Sequence, residues 1–329
     1  MSALLHLIFF GSDAIALPLL DWLAGEGSAV VRVEAVFTQP DRPAGRGQKI
    51  ESNAIKRWAV AHNVKVLQPE KIDEATCAQL AEQHADVGLV MAYGRILREE
   101  FIATPRFGML NLHASLLPKY RGASPIQTAI ACGERETGVT LMRIVRKLDA
   151  GPIADAERVP IGLGDTTSEV EARLAAACVP LLKRALPRLA DGTLRFSPQD
   201  DSRATYCRLL TKEDGAIDFA ALAAELTARI NGLFPWPGCA TEILGQTIKL
   251  GQADFEPVAE NAAPGTVLGA DAGALRVAAG QGILRLLRLQ RPGGRMLAAA
   301  DFLRGFPIVP GTVLPSRPMQ PLVGAAPFR

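Results

Sequence analysis

The chain has 329 residues, 48% of them hydrophobic and 21% charged, with a formal net charge of +2. That length fits two domains better than one core, and so apolar a composition excludes a disordered chain. No apolar run approaches the roughly 20 residues of a membrane span. No Lys or Arg precedes Arg32, so the cationic start of a secretory signal is missing. A cytoplasmic protein with an intact N-terminus and no membrane contact is expected.

The first 190 residues alternate short apolar runs with helical patterns. Leu4–Phe10, Val31–Thr38, Val64–Leu67, Asp86–Ala92, Met109–His113 and Val139–Val145 read as strands, several of them apolar on both faces. Between them, Ser52 caps a helix over Asn53–His62, and Asp73 opens one running through Gln83. Ser124 and Pro125 open Ile126–Cys132, and Ser168–Leu189 is a long amphipathic helix. Strand-helix alternation predicts a doubly wound, mostly parallel, Rossmann-like α/β domain over residues 1–190, with its site at the carboxyl ends of the strands. The turn Gly11-Ser12 follows the first strand, but no glycine-rich phosphate pattern comes after it.

Residues 191–208 read as a linker, polar and turn-rich over Asp191–Ser202. Over residues 209–329 the texture changes. A helical stretch, Phe219–Leu233, precedes five short alternating runs: Ala240–Leu244, Thr247–Leu250, Gly265–Leu268, Ala274–Ala278 and Ile283–Leu289. They predict a small antiparallel barrel of the OB-like kind. Pro315–Arg329 reads as a proline-rich tail.

The five cysteines, Cys77, Cys132, Cys178, Cys207 and Cys239, form no Cys-x-x-Cys pair and no cluster with histidine. Neither a metal site nor a disulfide framework is expected, and buried free thiols are. The charge is uneven. Pro40–Ala59 holds five cations (Arg42, Arg46, Lys49, Lys56, Arg57) against Asp41 and Glu51, and Arg276–Arg304 holds six arginines against Asp301. Two basic segments on a near-neutral chain fit a polyanionic partner, and equally fit solvated surface arginines.

The chemistry concentrates after Met109. Residues two apart on a strand share a face, so Asn111 and His113 project together from a strand end. Asp149 stands just past the end of the next strand. An Asn amide can donate to a carbonyl oxygen gaining charge. A His can move a proton near neutrality, and a buried Asp can orient the imidazole and stabilise its charged form. Such a set suits direct acyl transfer to an amine, with no nucleophile on the protein. The same residues also fit plain structural roles: a bonded strand histidine, an Asn satisfying backbone, and a turn at Asp149-Ala150-Gly151.

Asn111-Leu112-His113-x-Ser115-Leu116-Leu117-Pro118-x-Tyr120-Arg121-Gly122, followed by Pro125-Ile126, resembles the signature of the 10-formyltetrahydrofolate-dependent formyltransferases. Leu148-Asp149-x-Gly151 resembles their second signature. The resemblance implies that Asn111, His113 and Asp149 are catalytic. It also implies that 10-formyltetrahydrofolate, the co-substrate, binds along Ser115, Leu116, Leu117 and Pro118 and along the strand end near Met91 and Tyr93, with no metal. From Leu7 to Leu314 the chain resembles the branch that formylates the methionyl end of initiator tRNA. Thr38–Gly47 is similar to that branch's inserted basic loop, which implies tRNA contacts from Arg42, Arg46 and Lys49. Tyr206–Asp218, Asn231–Pro237 and Ala263–Thr266 are similar to its domain junction and its tRNA-binding C-terminal domain. A monomer is implied. The alternatives are formyl transfer to a small amine such as an amino sugar, and a nucleotide- or RNA-binding protein without catalysis.

Overall fold

The first apolar run becomes a central strand. In the computed structural model, which describes residues 4–44, 49–271 and 273–328, β1 (Leu5–Phe10) has parallel neighbours on both sides. Leu7, Ile8, Phe9 and Phe10 are fully buried, which is why the run is apolar at successive positions instead of alternating. Helix α1 (Leu17–Ala24) leads to β2 (Val31–Phe37). A hairpin of β3 (Arg42–Ala44) and β4 (Lys49–Glu51) precedes α2 (Ala54–Ala61) and β5 (Lys65–Leu67). Then come α3 (Glu74–Ala81), β6 (Val87–Val90), α4 (Glu99–Ala103), β7 (Met109–His113) and the short β8 (Arg121–Gly122). Helix α5 (Pro125–Ala131), β9 (Glu136–Arg143), β10 (Ile153–Pro160) and α6 (Thr167–Ala190) follow.

The principal sheet has seven strands in the order β10-β9-β7-β6-β1-β2-β5. Pairing is parallel from β5 through β2, β1 and β6 to β7, and β9 runs antiparallel to β7. This is the mostly parallel α/β sheet expected. An aromatic cluster fills one side of it: Phe10 stacks on Phe37 with centroids 4.8 Å apart, and Phe101 meets Phe10 edge-on at 5.7 Å.

The second half is built on β11 (Tyr206–Cys207), α7 (Ala223–Leu233), β12 (Cys239–Ile243), β13 (Gln246–Glu256), β14 (Val267–Ala270), β15 (Leu275–Ala278), β16 (Ile283–Gln290), β17 (Leu297–Ala298), α8 (Ala299–Gly305) and β18 (Val323–Gly324). Strands β12-β13-β16-β15-β14 form an antiparallel sheet in that order. Its core includes Phe219, Leu226, Ile230, Leu250, Leu284, Leu286 and Phe302.

Two compact units result. One comprises Met1–Arg121, Gly138–Val159 and Ala172–Ala204. The other comprises Gly122–Thr137, Pro160–Glu171 and Thr205–Arg329.

Several local expectations change. Asn53, not Ser52, caps α2, its Oδ1 accepting from the Lys56 N–H at 3.0 Å. β13 runs through Gly251, where a register shift absorbs the irregularity that reads as a strand end. β10 has no strand signal in the sequence, because most of its residues are partly or fully exposed at the sheet edge. The C-terminal residues are no loose tail: β18 pairs antiparallel with β11, Leu322 joins the second core, and the Arg317 N–H donates to the Ile217 carbonyl at 2.8 Å.

Candidate active site

Strand β7 carries two of the expected residues to its carboxyl end. Asn111 is half-buried and His113 is buried on the same face. Opposite them on β9 stand Met142 and Thr140. Met109 and Leu110 before them are buried, so the apolar start of the strand anchors the polar end.

The chain then turns back on itself. The Ser115 N–H donates to the His113 carbonyl at 2.9 Å, and the Ser115 hydroxyl donates to the Lys119 carbonyl at 2.7 Å. Thr140 secures the turn from β9. Its hydroxyl donates to the Ser115 carbonyl at 2.6 Å and accepts from the Leu117 N–H at 3.1 Å. The turn brings the Tyr120 carbonyl to 2.8 Å from His113 Nε2. A carbonyl only accepts, so Nε2 carries the proton of the neutral ring and Nδ1 the lone pair.

Nδ1 faces Asp149, whose Oδ2 lies 3.7 Å away. That is an ion-pair distance, longer than a hydrogen bond. Both side chains are largely shielded, with 7% and 16% exposure. Asp149 holds its place at a backbone cost, since its φ is +46°, in the left-handed region that non-glycine residues avoid. Gly151 makes the close return possible: a Cβ there would stand 1.8 Å from the Arg143 carbonyl oxygen. β9 runs antiparallel to β7 and ends beside Leu110, so it is the return of the chain after Arg143 that brings Asp149 to His113.

The other expected residues are placed unequally. Ser115 is fully buried, Leu117 nearly so, and Leu116 and Pro118 are half-buried. Met91 and Tyr93 have their side chains inside. Met91 Sδ lies 4.0 Å from Cys178 Sγ, and the Tyr93 ring meets Phe10 edge-on at 5.7 Å. Burial pushes the Tyr93 phenol up to about 12, so it stays protonated at neutrality. Neither side chain is left exposed at the strand end. Among the described residues no group of three or more His, Cys, Asp or Glu is arranged to hold a metal ion, and no helix is long and apolar enough to cross a membrane.

In the basic segment, Arg42 is exposed and paired with Glu70 at 2.7 Å. Lys49 stands opposite Ala44 in the β3–β4 hairpin, and Arg46 lies outside the described residues. The base of the hairpin is tied down. Asp41 accepts from Lys56 Nζ at 2.5 Å and from Gln68 Nε2 at 2.9 Å. The Lys56 hydrogen bond, aided by Gln68, holds its carboxyl below the usual range. Of the second arginine segment, Arg276 pairs with Glu256, and Arg285 with Asp254, Glu256 and Asp271. Those two serve the sheet itself, while Arg288, Arg291 and Arg295 are exposed.

Two contributors escape sequence reasoning. The Tyr120 carbonyl is a backbone group that only the turn aims at His113. Gln199, in a stretch that reads as linker, donates from Nε2 to the carbonyls of Asp149 and Gly151 at 2.8 and 2.7 Å. No local signal marks it.

Comparison with known proteins shows the family. Residues 5–186 match the family described as "Formyl transferase", and residues 209–307 match "Formyl transferase, C-terminal domain". A methionyl-tRNA formyltransferase of Ralstonia nicotianae is 42% identical over 96% of this chain and 100% of its own length. One from Sorangium cellulosum is 42% identical over 93% of this chain and 98% of its own. The solved N-formyltransferase of Helicobacter canadensis, in complex with folinic acid and dTDP-3-aminofucose, superposes with a TM-score of 0.65 at 19% identity, covering 86% of this chain and 99% of that one; it shares the fold. With both family domains matched in order and relatives aligned nearly end to end, the chain belongs to the formyl transferase family, among the methionyl-tRNA formyltransferases.

Proposed function

We propose that this chain moves the formyl group of 10-formyltetrahydrofolate to the free amine of methionyl initiator tRNA, with Asn111, His113 and Asp149 performing the transfer. The observation that carries the assignment is His113 held between the Tyr120 carbonyl and the Asp149 carboxylate beside Asn111. The methionyl amine attacks the formyl carbon, forming a C–N bond. As the carbonyl oxygen gains charge, the Asn111 amide donates to it. Nε2–H is committed to Tyr120, so Nδ1 is the ring nitrogen free to take up a proton. Once protonated, the ring is an imidazolium with a carboxylate 3.7 Å away to orient it. The proton lost by the amine returns to N10 of the folate as the old C–N bond breaks, leaving tetrahydrofolate.

In this reading the folate lies along Ser115–Pro118 and the strand end at Met91–Tyr93, while Arg42, Arg46 and Lys49 hold the acceptor end of the tRNA through its phosphates. Residues 1–190 form the catalytic domain, 191–208 the connection and 209–329 the tRNA-binding domain of a cytoplasmic monomer. The exposed Arg288, Arg291 and Arg295 add sequence-independent attraction for RNA.

The test is transfer of labelled formyl from 10-formyltetrahydrofolate to initiator Met-tRNA, elongator Met-tRNA and free methionine. Product on the initiator is expected, and His113→Ala and Asn111→Ala each lower kcat by about 10²–10³. Near-normal turnover in either variant removes the role assignment; product on none of the three moves the acceptor to another amine.

A further inference from the structure

We infer that Gln199 is a positioning residue for the reaction, holding the Asp149 carboxylate against His113 through the backbone of the Asp149–Gly151 turn; this rests on the catalytic reading of Asp149 and His113. The strained backbone of Asp149, φ +46°, sits in a turn closed by the Ala150 N–H, which donates to the Lys147 carbonyl at 3.2 Å. A side-chain amide grips the same turn from outside. Gln199 Nε2 spends both of its hydrogens on it, one on the Asp149 carbonyl at 2.8 Å and one on the Gly151 carbonyl at 2.7 Å.

The other end of that amide is equally committed. Its Oε1 accepts from Arg121 Nε at 3.1 Å and from Nη2 at 2.7 Å. Donors therefore face two carbonyls and the acceptor faces a guanidinium, and a flipped amide would lose all four bonds. Arg121 is fully buried, and its Nη2 also pairs with Asp201 Oδ1 at 2.8 Å. Asp201 in turn meets Lys147 Nζ at 2.5 Å, two residues before Asp149. The Gln199 segment is itself fastened: Ser197 and Ile153 exchange backbone hydrogen bonds at 2.8 Å, and the Arg143 guanidinium lies 4.2 Å over the Phe196 ring. Each group that fixes the turn is thus fixed by another, which is what a carboxylate needs to keep its orientation to within a fraction of an ångström.

The discriminating substitution is Gln199→Glu in the full chain. Glutamate keeps the size and the bond to Arg121, with a charge that strengthens it, yet turns an acceptor toward two carbonyls. The fold is retained while the turn is released. The expected result is a modestly lower melting temperature with the fold kept, KM for both substrates within about twofold, and kcat lower by about tenfold or more, since a misplacement of about 1 Å costs up to about 10²-fold. In an Asp149→Asn background the same change costs less than about twofold further, because coupled residues are not additive. Wild-type kcat in Gln199→Glu, with Asp149→Asn impaired, overturns the inference alone. Equal multiplicative losses in both backgrounds also overturn it. Full activity in Asp149→Asn overturns the catalytic reading instead. If Asp149→Asn falls below detection, the split between kcat and melting temperature in Gln199→Glu decides by itself.

Discussion

Replacing Gly151 with alanine adds one methyl group where the chain has no room for it. The new Cβ would stand 1.8 Å from the Arg143 carbonyl oxygen and 2.9 Å from its carbon. Relaxed carbon–oxygen contacts run at about 3.3 Å, so the two backbones must part by about 1.5 Å. Neither side yields easily: the Arg143 N–H donates to the Pro152 carbonyl at 3.0 Å, binding the two segments one residue away. Crowding of this kind costs about 1–3 kcal/mol of stability. The displaced segment begins two residues after Asp149. If the carboxylate retreats from 3.7 Å to about 5 Å, its attraction for a protonated His113 falls by about 1 kcal/mol at an effective dielectric of about 20. That is about fivefold, and lost alignment extends it to about 10²-fold in kcat. Initial rates of formyl transfer at saturating substrates, with a thermal melt of the same preparation, measure both effects. Gly305→Ala is the control, since its Cβ meets nothing within 4 Å. A Gly151→Ala enzyme with wild-type kcat and melting temperature refutes the reasoning.

Three further outcomes are expected. Burial alone would raise the Asp214 carboxyl, but hydrogen bonds from Arg208 and the Thr211 N–H outweigh it and hold it below its ordinary value. A carboxylate so depressed stabilises the fold above the unfolded value of about 4, and the contribution drains as pH falls through the folded value. Denaturation midpoints should therefore fall more steeply below about pH 4 in the wild type than in Asp214→Asn, which loses about 3 kcal/mol at neutrality; parallel slopes contradict this. Among the thiols, burial pushes Cys178 and Cys239 up to about 12, whereas Cys132 is exposed. Alkylation of the native protein should label Cys132 first and reach Cys178 and Cys239 only on unfolding, and comparable rates would disprove it. Leu322, 4% exposed in the second core, should cost about 2–4 kcal/mol as alanine. Val309→Ala, at a site 66% exposed, should cost little, and a neutral Leu322→Ala would mean that the C-terminal residues are undocked.

By itself the sequence determined the elements whose burial repeats locally. β1, β2 and β7 are legible within a residue because central strands are apolar on both faces, and the shared face of Asn111 and His113 follows from the two-residue period of a strand. The two signature motifs carried the family for the same reason: their residues are contiguous. Tertiary structure decided whatever depends on partners far along the chain. β10 and the second half of β13 are set by edge position and a bulge, and Leu322 is core because β18 finds β11. Arg276 and Arg285 are read as surface charge until the sheet places Glu256, Asp254 and Asp271 beside them. Asp149 reaches His113 because the chain folds back after β9 has ended beside Leu110, and Gln199, 50 residues beyond Asp149, looks like any polar loop residue. Periodicity records which side of an element is buried; it does not record which distant group will be waiting there, because that choice is made by packing.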